Sequence, residues 1–535
     1  MYIDTWQKKN KNGSIYVRRL LRTSYRDKNG KVQHKTILNL KNLSQKESEA
    51  IKLVIESKGE VVSLKDLDIE IKQGKSIGSV HLLKGIANEL SITKALGNSK
   101  QGKLALWQII ARIIDQGSRL SASKLLNSYD GNSVLALDRV SEDVLYKNLD
   151  WLADTQIEIE NKLYNLSKNK DNLYLYDVTS SYFEGQQNEL ASFGYNRDKK
   201  SGKKQIVVGL LCNSDGVPLS IDVFKGNTND LKTFSSQCDK LKKRFKAKNV
   251  TMVGDRGMIK GPQIEELEDN NFTYVTAITK AQIKKLADSE QIQTDLFDED
   301  LKEVSIDKKR YIVRRNPQRA KSIKITRDNK YENLNAFVEK KNEYLNEHER
   351  ARPEVALKHC LDKAIKLRID KWAKLHIDGR IIKLSKDDLL LKEESSFDGC
   401  YVITTNLRKE EASKNEVHDA YKLLLKVEKG FRTMKTSHLE LRPINVRLKR
   451  RTIAHTFVVM LAYKIVKELE KRWRDLDITV EKGIDLLSKL CFQSVYVKDK
   501  LVDIKIPQPS DEQKLLFEKA NIKLPRNSKA TRKSK

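Results

Sequence analysis

The chain has 535 residues, 39% hydrophobic and 33% charged, enough for about three or four packed domains. Lysine and arginine exceed the acids by 30, and with a pI near 9.6 that points to a polyanionic partner, most simply nucleic acid, against the plainer alternative of a lysine-rich surface. The five cysteines, Cys212, Cys238, Cys360, Cys400 and Cys491, are scattered and lack CxxC spacing, which argues against a zinc site or a disulfide framework and for a reducing cytoplasm.

At the start, "MYIDTWQKKNKNG" has no apolar signal core. The Asn-Gly turns at 11–13 and 28–30 frame "SIYVRRLLRTSYR" and its partner "KVQHKTILNL", a small antiparallel sheet carrying Arg18, Arg19 and Arg22. A helix follows in "SQKESEAIKLVIESKG", opened by a Ser cap. Such a sheet suits a DNA backbone or an ordinary surface equally. Residues 79–170 read as helices, one with Leu104, Trp107, Ile110, Ala111 and Ile114 on a single face. Short helices and tight turns fit either a DNA-binding module or a plain bundle.

From residue 171 the texture turns to strands: "NLYLYDVTS", "KKQIVVGLLCN", "VPLSIDVFKGN", then "NVTMVGDRGM" and "FTYVTAIT" with helices between them. That order predicts a mixed α/β sheet beginning with antiparallel neighbours. A highly charged stretch, 281–397, interrupts it, with a strand in "KRYIVRR" and a helical centre. "DGCYVITTNL" resumes the strands, and an amphipathic helix starts near Val417. "IAHTFVVMLAYKIV" is broken by His455 and Lys464, is too short to span a bilayer, and reads as a core helix. The end, "LPRNSKATRKSK", reads as a disordered basic tail.

Three acids stand out. Asp177 breaks an apolar strand, where a buried acid is costly unless it is paired or holds a metal; the alternative is an edge strand whose Asp faces water. Asp255 ends another apolar strand, and catalytic groups in open α/β sheets favour strand ends, although Asp-x-Gly is also a common turn. Glu428 lies on the helix whose apolar stripe is Ala420, Leu424, Val427, Phe431 and Met434. Tyr421, Glu428, Arg432 and Lys435 form a second stripe about 100° away, which puts Glu428 at the border of core and solvent. If the three acids converge, they make a hard-oxygen site for two Mg²⁺ ions, the chemistry of phosphodiester displacement. Arg432 and Lys435 can then hold a phosphate.

Together, "YDVTSSYFEG", "VGDRGM" and "YKLLLKVEKGFRTMK" resemble bacterial insertion-sequence transposases of the DDE type, in the group whose glutamate lies in a Tyr-x2-Arg-x3-Glu-x6-Lys signature. Tyr421, Glu428 and Lys435 match its spacing, and Leu424 stands in the place of its Arg. The resemblance spans roughly 170–470, and "SYRDKNGKVQHKTILNL" near the start fits it too. It implies a ribonuclease-H-like catalytic core, 171–280 and 398–470, and a mostly β insertion, 281–397. Ahead of these stand a basic sheet with a helix, 1–78, and a helical DNA-binding region, 79–170; a helical segment with a basic tail, 471–535, follows.

The resemblance further implies that Asp177, Asp255 and Glu428 hold Mg²⁺, with Mn²⁺ able to substitute, and that Tyr421, Arg432, Lys435, Arg256, Arg442 and Arg447 contact DNA. The insertion would hold a DNA hairpin end, with Trp372 or Tyr311 stacking on a flipped base if either is not simply a core residue. The partners implied are double-stranded DNA, as element ends and target, and a second copy of the chain, in the bacterial cytoplasm at the nucleoid. Two alternatives stay open: a two-metal nuclease without strand transfer, and a non-catalytic DNA-binding protein descended from a transposase.

Overall fold

The structure is a computed structural model that describes residues 1–9, 15–56, 69–167, 172–185, 187–195, 197–198, 200, 202–289, 291, 301–307, 309–436, 439–442, 446–497 and 500–526. The turn at 11–13, residues 527–535 of the basic tail and residues 443–445 lie outside these. The chain divides into two compact units.

The first unit comprises Met1–Gly74, Phe492–Pro507 and Asn527–Lys535. Its strands β1 (Tyr2–Lys9), β2 (Ile15–Arg26) and β3 (Val32–Asn39) form the expected antiparallel meander. At the second turn Asp27 accepts the amides of Asn29 and Lys31, and Gly30 takes a φ of +75° that a side chain would resist. Helix Gln45–Glu56 begins as the sequence suggests, with Ser44 and Glu47 exchanging backbone-to-side-chain bonds. A further strand, β4 (Ile69–Ser76), belongs to a sheet completed only near the other end of the chain.

The second unit, Lys75–Cys491 with Gln508–Arg526, holds everything else. Of the region read as helical, 79–170, the described residues form helices as expected, the last of them Glu142–Leu166, and residues 168–170 lie outside the described ones. Helix Lys100–Ile114 buries more than the expected face, with Ala105, Leu106, Ile109 and Ile113 buried alongside Leu104, Trp107, Ile110 and Ala111. It and helix Glu142–Leu166 pack on Lys449–Arg472, the buried helix read from "IAHTFVVMLAYKIV". These helices therefore share one compact unit with the large sheet. No helix among the described residues is long and apolar enough to cross a membrane.

That sheet contains β5 (Leu173–Tyr182), β6 (Gln205–Asn213), β7 (Pro218–Lys225), β8 (Thr251–Gly254), β9 (Thr273–Ala277), β10 (Lys302–Ile306), β11 (Lys309–Arg315) and, beyond a hairpin of β12 (Ala373–Asp378) and β13 (Ile381–Lys386), β14 (Cys400–Thr405). Its order is β10-β11-β14-β9-β8-β5-β6-β7. The first three core strands are antiparallel neighbours, whereas β8 and β9 run parallel to β5. This is the ribonuclease-H-like arrangement that the resemblance implies. β5 is an interior strand, so the edge-strand alternative for Asp177 falls.

The insertion is a correction: it is mostly helical, not mostly β. Helices Lys280–Asp288, Pro317–Glu347, Pro353–Leu367 and Asp388–Ser396 dominate it. Its strands β10 and β11 join the main sheet beside β14, leaving the β12–β13 hairpin as a separate small sheet. The long Pro317–Glu347 helix is rich in strong helix formers, capped by Asn316 and started by Pro317. It buries Leu334, Val338 and Leu345 in a cluster with Cys360, Ala364 and Trp372. Trp372 is 1% exposed and stacks on Tyr331, so it is a core residue of the insertion, and Tyr311 sits in β11 paired with Thr404.

The region after 471 is not only helical either. "CFQSVYV" alternates and is rich in β-formers; it forms β15 (Cys491–Val497), which pairs with β16 (Lys500–Lys505) and, on its other side, with β4.

Candidate active site

The site begins with strand alternation. Tyr174, Tyr176 and Val178 of β5 point into a core with Phe234, Cys238, Leu241 and Leu267. Leu175, Asp177 and Thr179 must then face the other side of the sheet, which is covered by helix Leu424–Lys435 packed across β5. The apolar stripe of that helix is buried as the wheel requires: Leu424, Val427, Phe431 and Met434. Each such side chain contributes roughly 1.5–3 kcal/mol of burial that holds the helix down. Gly430 lets the helix lie close to its neighbour, since a Cβ there would stand 3.0 Å from the Tyr463 hydroxyl. Glu428 is exposed at the edge of this stripe.

Register brings the second acid alongside. β5 and β8 pair in parallel, with Leu173 opposite Thr251 and, at the end of the ladder, Tyr176 opposite Gly254. The next position on each chain is an aspartate, Asp177 and Asp255. Adjacent strands lie about 4.8 Å apart, so the two carboxylates are neighbours. Asp177 Oδ1 accepts the Val178 amide at 2.8 Å, and Asp255 Oδ1 accepts the Arg256 amide at 2.8 Å. Burial, reinforced by the charges of Asp255 and Glu428, pushes the Asp177 carboxyl up to about 7, against the pull of the Val178 amide and Arg197. The structure therefore brings all three predicted acids within electrostatic range of one another.

The helix read as continuous from Val417 begins earlier and is jointed. Helix Lys414–Lys422 opens with a capping box between Ser413 and Glu416, and the next helix starts at Leu424. Leu423 between them keeps right-handed backbone angles, so the path continues with a local tightening. Tyr421 closes the first helix with its hydroxyl 3.5 Å from Asp255 Oδ1, and burial and the Asp255 charge push its phenol up. Leu424, in the place of the signature Arg, is 8% exposed in the core stripe. Leu424→Arg would bury a guanidinium among apolar side chains and should cost roughly 2–4 kcal/mol, read as a lowered denaturant midpoint. An unchanged midpoint would show that an Arg here reaches solvent or a carboxylate.

The predicted DNA contacts divide. Arg432, Arg256 and Arg447 are exposed and form no ion pair among the described residues. Lys435 is held by Asp198 at 2.8 Å, and Arg442 is held by Glu440 and the Tyr182 hydroxyl. Arg450 and Arg451 open helix Lys449–Arg472 and bind Asp150 and Asp154 of helix Glu142–Leu166, so they join two helices.

Sequence reasoning missed the segment opposite the end of β5. The Arg197 amide donates to Ser180 Oγ at 2.9 Å, its guanidinium pairs with Asp230, and its charge reaches Asp177. Asp198 links Lys435 to the Tyr182 amide. The alternation of Arg197 and Asp198 among lysines was visible as a charged turn, but nothing local in it pointed to the sheet.

Two neighbouring aspartates with a glutamate in electrostatic range, one aspartate pushed up chiefly by burial and further by the other two charges, are a donor set that a hard divalent cation fits. Among the described residues no three acidic, imidazole or thiol groups close tightly enough to grip a single ion. Glu428 is exposed on the helix that packs across β5, so its side chain is free to change rotamer.

Residues 168–465 match a family model described as the transposase DDE domain, and residues 3–63 match the N-terminal domain of the IS1634 family transposases. No curated protein matches the chain. Among solved structures the chain is similar to a piggyBac transposase synaptic complex with hairpin DNA, determined by cryo-EM, at 8% identity and a TM-score of 0.35, over 83% of this chain and 76% of that one. Transposase DDE domains depend on divalent metal ions and act on DNA. Since the first match takes in more than half of the sequence and contains all three carboxylates, the chain belongs to the DDE transposases of bacterial insertion sequences.

Proposed function

We propose that this transposase binds the terminal inverted repeats of its element, cuts DNA strands with metal-activated water, and joins the freed 3′-hydroxyls to target DNA. Asp177, Asp255 and Glu428 are the metal-holding residues, with Mg²⁺ as the ion and Mn²⁺ able to replace it. Divalent ions held there would activate the attacking oxygen and stabilise the leaving one. Around them, Arg432 lies one turn beyond Glu428 on the same helix, and Arg256 directly follows Asp255. Both offer guanidiniums to the phosphates flanking the cut. Lys435 and Arg442 would have to exchange Asp198 and Glu440 for phosphate. Tyr421 orients the Asp255 carboxylate, and Arg447 tracks the duplex further out. Two copies, each holding one element end, make the working complex, at the nucleoid of the bacterial cytoplasm.

The observation that carries this reading is the β5–β8 register, which sets Asp177 and Asp255 side by side under the helix of Glu428. The test is incubation of end-containing DNA with the protein and Mg²⁺, resolved on a gel. Joined product supports the full reading. Cut product without joining leaves a two-metal nuclease, and a shifted band alone leaves a DNA-binding protein.

In the first unit the exposed Arg18 of β2 is the best candidate for a phosphate contact there, because Arg22 is paired with Asp4 and Arg19 donates to the Leu43 carbonyl. Each neutralised phosphate contributes about −0.9 to the slope of log affinity against log salt. Arg18→Gln in the full chain should therefore flatten that slope by about one. An unchanged slope would remove Arg18 from the interface.

A further inference from the structure

A cavity lies behind the helix that carries Glu428. It has a volume of about 800 Å³ and is walled by helix Leu424–Lys435, the C-terminal half of helix Lys449–Arg472 and the loop leading to Val480. On a helical wheel its two contributions from the catalytic helix, Lys426 and Lys429, stand about 160° and 100° from Glu428, so it opens away from the carboxylates. Four more cations line it: Lys464, Lys467, Lys471 and Arg474.

Six cations face four acids here, Asp215, Glu468, Glu470 and Glu481, so the lining keeps an excess of positive charge. Lys429 pairs with Glu470 at 3.0 Å and Lys426 with Asp215 at 3.9 Å, and Glu468 is taken by Arg472. Lys464, Lys467, Lys471 and Arg474 form no ion pair among the described residues. Lys464 reaches only the Pro218 carbonyl, at 2.7 Å. Burial pulls its ammonium down to about 8 and lowers that of Lys467 as well. Desolvated ammonium groups that touch no carboxylate, with only Glu160 and Glu470 at longer range, make a demand for an anion. Val217, Leu476 and Ile478 add apolar wall to the same cavity.

The size falls in the range of small-ligand sites, and a duplex about 20 Å across cannot follow its phosphates into such a hollow. The apolar wall offers a surface for a flat base, and the lysines offer hydrogen-bond donors for several phosphate oxygens. We propose that this cavity is a binding site for a nucleoside polyphosphate, separate from the DNA-cutting centre.

The test titrates ATP, and in parallel inorganic tripolyphosphate, into the full-length protein at 0.15 M salt by calorimetry. Both should bind, ATP more tightly because of the apolar wall. The double variant Lys467→Gln/Lys471→Gln should weaken ATP by about tenfold or more, as expected for losing two charge-assisted contacts, while cleavage of end-containing DNA continues. Should circular dichroism show that the double variant is unfolded, the exposed Lys471→Gln alone must still weaken ATP measurably. Three results would overturn the proposal: no ATP binding, ATP affinity unchanged by either variant, or an equal loss in an Arg18→Gln/Arg19→Gln/Arg22→Gln variant, which would mark general attraction of polyanions. Displacement of ATP by duplex DNA, one for one, would make the cavity a DNA contact and also overturn it.

Discussion

Glu428→Gln is expected to lower DNA strand cleavage at least ~10³-fold, the several kcal/mol that a metal ion supplies to a developing phosphoryl transition state. DNA binding and folding should be unaffected. Glutamine keeps the volume and the helix propensity of glutamate, and Glu428 is exposed, so little packing changes. What disappears is the negative charge that a hard cation requires. Asp177→Asn and Asp255→Asn should behave alike, and the double variants should be no worse than the single ones, because residues serving one metal site act as a unit. Single-turnover cleavage of a labelled element end in Mg²⁺ is the measurement. Wild-type rates from Glu428→Gln would show that the third ligand lies elsewhere, and loss of the folded state would show that Glu428 is structural.

Asp177→Asn should also make the metal-free protein more stable at pH 8, by roughly 1–3 kcal/mol once its partial exposure is allowed for. Burial and the neighbouring acids push the Asp177 carboxyl up to about 7 in the folded chain, from the ordinary 3.8 of an aspartate. Below about pH 3.8 it is neutral in both states and costs nothing. As the pH rises from there the unfolded chain releases its proton and the folded chain does not, so stability falls until about pH 7 and then levels off. Asparagine removes the penalty, and the two denaturation midpoints should diverge across that window. Adding Mg²⁺ at pH 8 should raise the wild-type midpoint and leave that of Asp177→Asn nearly unchanged. A variant that is less stable than wild type at pH 8 without metal would mean that the Asp177 charge is already compensated by the protein.

Much of this was legible in the residues. Asp177 and Asp255 were conspicuous because each ended an apolar run, and Glu428 because the wheel left it just outside the buried stripe. Their mutual placement was not legible: parallel pairing joins strands separated by helices, and no local pattern states the register. For the same reason the partners of Lys435 and Arg442 escaped notice, since Asp198 is held by contacts to β5 and Glu440 lies at a positive φ after the helix. The insertion shows the opposite case. Its own residues read as a helical centre, and that local reading was sounder than the β content implied by likeness to relatives. β4 was overlooked because it is charged and holds a glycine, and β15, although rich in β-formers, because the strand it pairs with on one side lies more than four hundred residues away.

That pairing sets a timetable. β4 is made more than four hundred residues before β15 and β16. At ~5–20 residues per second, roughly 20 to 80 seconds pass between the end of β4 and the start of β15. During that interval the edge of β4 carries unmatched amides and carbonyls. A nascent transposase is therefore open at one sheet while the strands of Asp177 and Asp255 are still being assembled, and the charges of β4 itself, Glu70, Lys72 and Lys75, oppose its pairing with another chain in the meantime.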